Sequence, residues 1–213
     1  MLRPDWPALQ RASLEFARSR WLGRQWRIEE SLAAAQRQVA IYEQSGNELG
    51  MHYAMSNVVA AENQLGRFES SLAHARSSIA RLEVIGGSAG AGHLWLGVMN
   101  AEALLGRTAA AIAAGRTAHA LLLREGDELR VFTALALCAA LQGRIEDAAR
   151  MVGYAEGVLA RAGVDNAHWS SANESLRVKL NAGLRPDELA RLRAEGAAMG
   201  EEAAVRLALG DEA

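Results

Sequence analysis

The chain has 213 residues, half of them apolar and 23% charged, with a formal net charge of −2 and a single cysteine. That length suits one compact domain or a short solenoid. Lone Cys138 excludes an internal disulfide and a cysteine-based zinc site, and the balanced charge argues against nucleic-acid binding, which asks for a basic excess.

Met1–Gln10 holds two prolines, a Trp and an Asp where a signal peptide has its apolar stretch, so a cytoplasmic protein is expected. Residues 1–28 carry six Arg against Asp5 and Glu15, whereas residues 187–213 carry seven acids against Arg191, Arg193 and Arg206. Opposite ends could suit steering of a partner or head-to-tail self-contact; the plainer reading of the asymmetry is solvated helix faces.

The apolar half is rich in Ala and Leu, and Pro4, Pro7 and Pro186 are the only prolines, a mix that favours helix over strand. Glycine then sets a period. Leu65-Gly66-Arg67-Phe68, Leu105-Gly106-Arg107-Thr108 and Gln142-Gly143-Arg144-Ile145 are related, and Leu22-Gly23-Arg24 reads as an earlier copy. A second set is Gly46, Gly86, Gly126 and Gly163; Gly66, Gly106 and Gly143 each precede their partner by 20 residues. Gly23 to Gly46 is three longer, with Gln25-Trp26-Arg27 read as the insertion. Helices commonly end on a left-handed Gly, so each bracket predicts one helix of roughly 15–17 residues and a short turn. Alternating brackets predict antiparallel helix pairs.

The segments that follow keep register. Ile28–Leu32, Phe68–Leu72, Thr108–Ile112 and Ile145–Ala149 lie 40, 40 and 37 residues apart, with a small residue fourth and an apolar one fifth. Gly86–Gly92 is glycine-rich but is followed by no lysine, the chain's one lysine being Lys179; it predicts a connector, not a phosphate cradle. Val131–Leu141 is the longest apolar run, too short to span a bilayer, and Cys138 within it reads as a buried thiol. Beyond Gly163 the spacing predicts helices over Ala167–Asn181 (ending at Gly183), Pro186 to about Glu195, and Glu201–Leu209 with Ala204, Leu207 and Ala208 on one face. They suit a solenoid's terminal cap.

The repeats resemble the tetratricopeptide family, whose pattern sets Trp, Leu-Gly and Tyr on the first helix and Ala and Phe on the second. The second unit supplies Met55, Val58-Val59, Glu62, Ser71 and Ala75; the third Trp95, Val98-Met99, Glu102, Ala111 and Gly115; the fourth Phe132, Leu135-Ala136, Ala139, Ala148 and Val152. Glu or Ala replaces the Tyr, the final Pro is absent, and a 40-residue period would also suit HEAT-type repeats. The resemblance implies an all-α fold: a tetratricopeptide-like superhelix of about four helix-turn-helix repeats over 1–165 and capping helices over 166–213, in one continuous solenoid.

Asp147–Glu156, Asn173-Glu174, Glu195-Gly196, Glu201-Glu202-Ala203 and Leu207-Ala208-Leu209 carry a narrower likeness, strongest from Arg130 to Leu209. This stretch resembles the C-terminal tetratricopeptide tail of bacterial signal-transduction ATPases and winged-helix transcriptional regulators. That resemblance implies a sensor of effectors or proteins. Neither a phosphate loop nor a DNA-binding module is visible in the chain.

No catalytic motif is met, so no catalytic residue, cofactor or metal ligand is expected. His52, His74, His93, His119 and His168 show no ligand spacing and read as surface or half-buried helix residues. In tetratricopeptide superhelices the first helix of each pair lines the concave face. Helical projection assigns to it Tyr53, Ser56, Asn57, Ala60 and Asn63, then His93, Leu96 and Asn100, then Arg130, Thr133 and Leu137, with Asn173 and Arg177 closing the row. Amides and arginines suit an extended peptide, and Asn57 resembles the family's peptide-clamp asparagine in placement; hydrogen bonding between repeats is the alternative. Trp95 reads as core, and Trp6, Trp21, Trp26 and Trp169 as contact surfaces near the two ends. The expected function is a protein, peptide or small-effector binding module with no direct nucleic-acid or membrane binding; the alternative is a homo-oligomerisation scaffold.

Overall fold

A computed structural model describes residues 6–88, 90–163 and 171–210. Trp169, His168 and the first residues of the expected Ala167–Asn181 helix lie outside them. Among the described residues there are eleven α-helices and no strand: α1 Ala8–Arg24, α2 Ile28–Gln44, α3 Glu48–Gln64, α4 Phe68–Val84, α5 Ala91–Leu104, α6 Thr108–Leu122, α7 Val131–Leu141, α8 Ile145–Arg161, α9 Ser171–Gly183, α10 Pro186–Ala197 and α11 Glu201–Leu209. Two 3-10 turns, Leu123–Glu125 and Glu128–Arg130, join α6 to α7. The all-α repeat fold is thus the one expected, and among the described residues no helix is long and apolar enough to cross a membrane.

One backbone motif makes the turns. At the end of α3, Gly66 N–H donates to the Asn63 carbonyl at 3.2 Å and Arg67 N–H to the Glu62 carbonyl at 2.9 Å. This Schellman pair satisfies carbonyls that the last helical turn leaves open, and it requires a left-handed residue. The same two bonds recur around Gly46, Gly86, Gly106, Gly126 and Gly143, all at positive φ.

At the first turn the expectation is corrected. The left-handed residue is Trp26, at φ 59°, whose N–H donates to the Gly23 carbonyl while Arg27 N–H donates to Leu22. Gly23 lies inside α1. Gln25-Trp26-Arg27 is therefore no insertion: positions 26, 46, 66, 86, 106 and 126 share a step of 20. Gly23 imitated the signal through its neighbours Leu22 and Arg24, while the residue that turns the chain is the one without a glycine. A Cβ in this region costs on the order of 1 kcal/mol. Trp26→Gly is therefore expected to stabilise the chain by about 1 kcal/mol, read by urea denaturation; an unchanged midpoint would show the strain to be relieved elsewhere.

The chain forms two compact units, residues 1–101 and 102–213. In the first, α1, α2, α3 and α4 pack each on its neighbour in sequence. In the first two segments the small fourth position reaches the backbone of the preceding helix. Ser31 Oγ donates to the Ser19 carbonyl at 2.8 Å and, one repeat on, Ser71 Oγ to the Val59 carbonyl at 3.3 Å. Glu62, standing where the family pattern has Tyr, is buried; its carboxylate accepts from Ser70 Oγ at 2.7 Å and meets His74 Nδ1 at 2.9 Å. Buried carboxylates persist when so partnered. Trp95, expected in the core, is only half-buried.

In the second unit α7 packs on α6, α8 and α9, and α8 on α10. Cys138 is buried, and burial pushes its thiol up to about 11. Two of the five stretches that carried the narrower resemblance, Asp147–Glu156 and Glu195-Gly196, meet here. A Cβ added at Gly153 would lie 2.0 Å from the Arg193 carbonyl oxygen, and one at Gly196 would lie 1.9 Å from that of Arg150. Helices α8 and α10 therefore touch backbone to backbone. Arg150 Nε reaches Glu195 at 3.0 Å and Arg193 Nε reaches Glu156 at 2.9 Å, flanking the contact. Helix α11 buries Ala204, Ala208 and Leu209 and packs on α6, α7 and α8; Leu207, expected on the same face, is only half-buried.

Candidate functional site

The residues assigned to a groove have divergent environments. In the first unit Asn63 is buried, and its Nδ2 donates to the Gly97 carbonyl at 2.9 Å; it ties α3 to α5 and lines no groove. Asn57 Nδ2 donates to buried Gln38 Oε1 at 3.3 Å, so the residue placed like a peptide clamp bonds between helices. Ser56 Oγ bonds back to the Tyr53 carbonyl at 2.7 Å, while Tyr53 and Ala60 are exposed. Asn100 Nδ2 bonds back to the Leu96 carbonyl at 2.9 Å, and His93 and Leu96 are half-buried. In the second unit Leu137 is fully buried and is core rather than lining. Helical projection erred on Asn63 and Leu137 because it fixes a side chain's direction, while burial depends on which helix stands opposite.

Arg130 pairs with Asp127 at 2.6 Å and does not line the cleft that the remaining three share. Thr133 of α7 and Asn173 and Arg177 of α9 line an open cleft of about 310 Å³ among α7, α8, α9 and α10. Apolar side chains from three helices supply Met151, Val152, Leu176, Leu180 and Leu189. Glu156, Asn181 and Arg193 complete the polar part. The wall contributed by α8 and α10 was missed because only first helices were projected. The signal that could have found it is Gly153 and Gly196, whose missing side chains let α8 and α10 meet.

The polar part of the cleft carries two ion pairs. Arg177 grips Glu174 with two hydrogen bonds, at 2.6 and 3.0 Å, which hold the Glu174 carboxyl below its ordinary range and raise the Arg177 guanidinium. Arg193 binds Glu156 in the same two-pronged way. All four side chains stay partly in water, where such pairs contribute little stability. A ligand's carboxylate or ammonium can therefore exchange with either pair at small cost. Beside them Thr133, Asn173 and Asn181 offer neutral donors and acceptors. Among the described residues no three His, Cys, Asp or Glu side chains gather as a metal site.

His52 of α3 is buried with neither ring nitrogen hydrogen-bonded, and burial lowers its pKa, partly opposed by Glu48. The unfolded chain binds this proton near the ordinary value of 6.5, and the folded chain only at lower pH. The unfolded state therefore gains protons first as pH falls. Stability at His52 is full above pH 6.5 and declines below it. His52→Leu should flatten that part of the stability–pH curve measured by urea titration; an identical acid slope in both proteins would refute the assignment. No protein-family model, curated protein or solved structure matches the chain, so any functional reading rests on its own residues.

Proposed function

We propose that the chain is a non-catalytic, tetratricopeptide-like binding module whose second unit takes a small effector or a peptide side chain in the α7–α10 cleft. In this reading it is the sensing part of a bacterial transcriptional or signal-transduction system and works inside the cell. The carrying observation is the cleft itself. It joins an apolar floor to convergent amides and exchangeable Arg–Glu pairs, the composition of ligand sites in general. At about 310 Å³ it stands at the small end of their range, suited to one or two side chains of a ligand. The resemblance of Arg130–Leu209 to regulator tails supports the sensing role.

The test is isothermal titration with short peptides bearing Leu or Phe and with small amphiphilic acids. Ala155→Trp, which fills the cleft, should abolish binding of whichever compound binds. Asn173→Ala with Arg177→Ala should weaken it at least about ten-fold, equivalent to about 1.4 kcal/mol. Unaltered binding in all of these variants would dismiss the cleft as the site.

A further inference from the structure

Two guanidinium groups line the α7–α10 cleft, and they are held in different ways. Arg193 of α10 reaches across to Glu156 of α8 with two hydrogen bonds, beside the backbone contact at Gly153 and Gly196. Both members of that pair line the cleft. Arg177 is held within its own helix, by Glu174 one turn before it. Glu174 is not part of the cleft lining, and its side chain is 48% exposed. The charges that line the cleft are therefore two cations against one acid. Asn173, Arg177 and Asn181 stand four residues apart and form one row along α9. Beside it runs the row of Leu176 and Leu180, both buried.

We infer, on the reading of this cleft as the binding site, that its ligand is a small aliphatic monocarboxylate, with its anion on Arg177 and its tail on the leucine row. The sign of the charge follows from what each exchange leaves behind. A carboxylate that takes the Arg177 fork frees Glu174, which turns into water off the cleft lining. Exchange at such an exposed pair within one helical turn costs little. An ammonium that takes Glu156 instead frees Arg193 inside the cleft, where it repels the ligand together with Arg177. That exchange also breaks a link between α8 and α10. An ammonium on Glu174 would lie off the cleft lining altogether. A guanidinium takes a planar carboxylate through two parallel bonds, and the amides of Asn173 and Asn181 stand one turn to either side. The tail is aliphatic because Leu, Met and Val side chains make the floor and, among the described residues, no aromatic ring lines it. The ligand is small because the cleft holds about 310 Å³, the lower bound for ligand sites.

The test is isothermal titration of the full chain with octanoate, octanol and octylamine. Octanoate should bind about ten-fold more tightly than octanol, the worth of one charge-assisted contact, and octylamine more weakly than either. Arg177→Gln should bring octanoate down to the level of octanol and leave octanol unchanged. Glu174→Gln removes the competing carboxylate and should tighten octanoate about two- to five-fold, a gain that misfolding could not give. Ala155→Trp should abolish binding of all three. Octanol or octylamine binding as tightly as octanoate, in a way that Ala155→Trp abolishes, would overturn the carboxylate while the cleft stands. So would octanoate binding that neither Arg177→Gln nor Glu174→Gln alters, or binding of a Leu-ending peptide, but not of its amide or of octanoate. If no probe binds, or if Ala155→Trp leaves all binding intact, the cleft itself falls and the inference with it.

Discussion

Gly153→Ala is expected to destabilise the chain by about 3 kcal/mol, although Ala is the better helix former by about 1 kcal/mol. The added methyl would stand 2.0 Å from the Arg193 carbonyl oxygen. Its obstacle is backbone, so no rotamer change relieves it and α8 must move away from α10. That movement also loosens the Arg150–Glu195 and Arg193–Glu156 pairs beside the contact and opens the cleft wall that Glu156 and Arg193 form. Gly196→Ala meets the Arg150 carbonyl from the other side and should cost a similar amount. Because both act by separating one helix pair, the double variant should cost clearly less than the sum. Thermal unfolding checks this, with a fall in Tm of roughly 6–12 °C for each single variant. A single-variant loss under about 1 kcal/mol would show that the helices do not touch in this way.

Phe132→Ala should cost about 3–5 kcal/mol, the range for deleting a buried aromatic ring. Phe132 is among the largest fully buried side chains, and its ring packs on Tyr154 with centroids 5.0 Å apart and planes tilted by 51°. That contact locks α7 to α8, the two helices that carry Thr133 and Met151 to the cleft. Burial raises the Tyr154 phenol above its ordinary value of 10. Its stabilising contribution is therefore present below pH 10 and is lost as pH rises further. With the ring of Phe132 gone, water reaches the phenol, and its titration, followed by ultraviolet difference absorbance, should move down toward 10. Phe132→Leu, which keeps much of the volume, should cost under about 1.5 kcal/mol. Equal losses for Leu and Ala would mean that the cavity closes freely, against the packing described.

Turns were the most legible part of this molecule. The Schellman turn is local, spanning six residues and demanding one left-handed residue, so Gly46 to Gly163 could be found by spacing. The bounds of α10 and α11 followed equally from Pro186 and Gly200. Trp26 escaped because the demand is on φ and not on residue type, and a strained side chain leaves no compositional mark. Of the candidate site, Thr133, Asn173 and Arg177 were legible as positions on first helices. Their company in the cleft was not, because Met151, Glu156, Leu189 and Arg193 arrive from helices joined only by tertiary packing.

The sequence by itself determined an all-helical repeat of about 40 residues, where its rods end, and which positions recur on each of them, since these depend on neighbours within a turn or two. Tertiary structure alone decided that Asn63 and Leu137 are interior and that Gly153 and Gly196 are a contact between helices. The reason is that burial belongs to pairs of surfaces. A residue's own chemistry states what it would accept against it, and only the packed neighbour from 20 to 40 residues away determines whether anything is there.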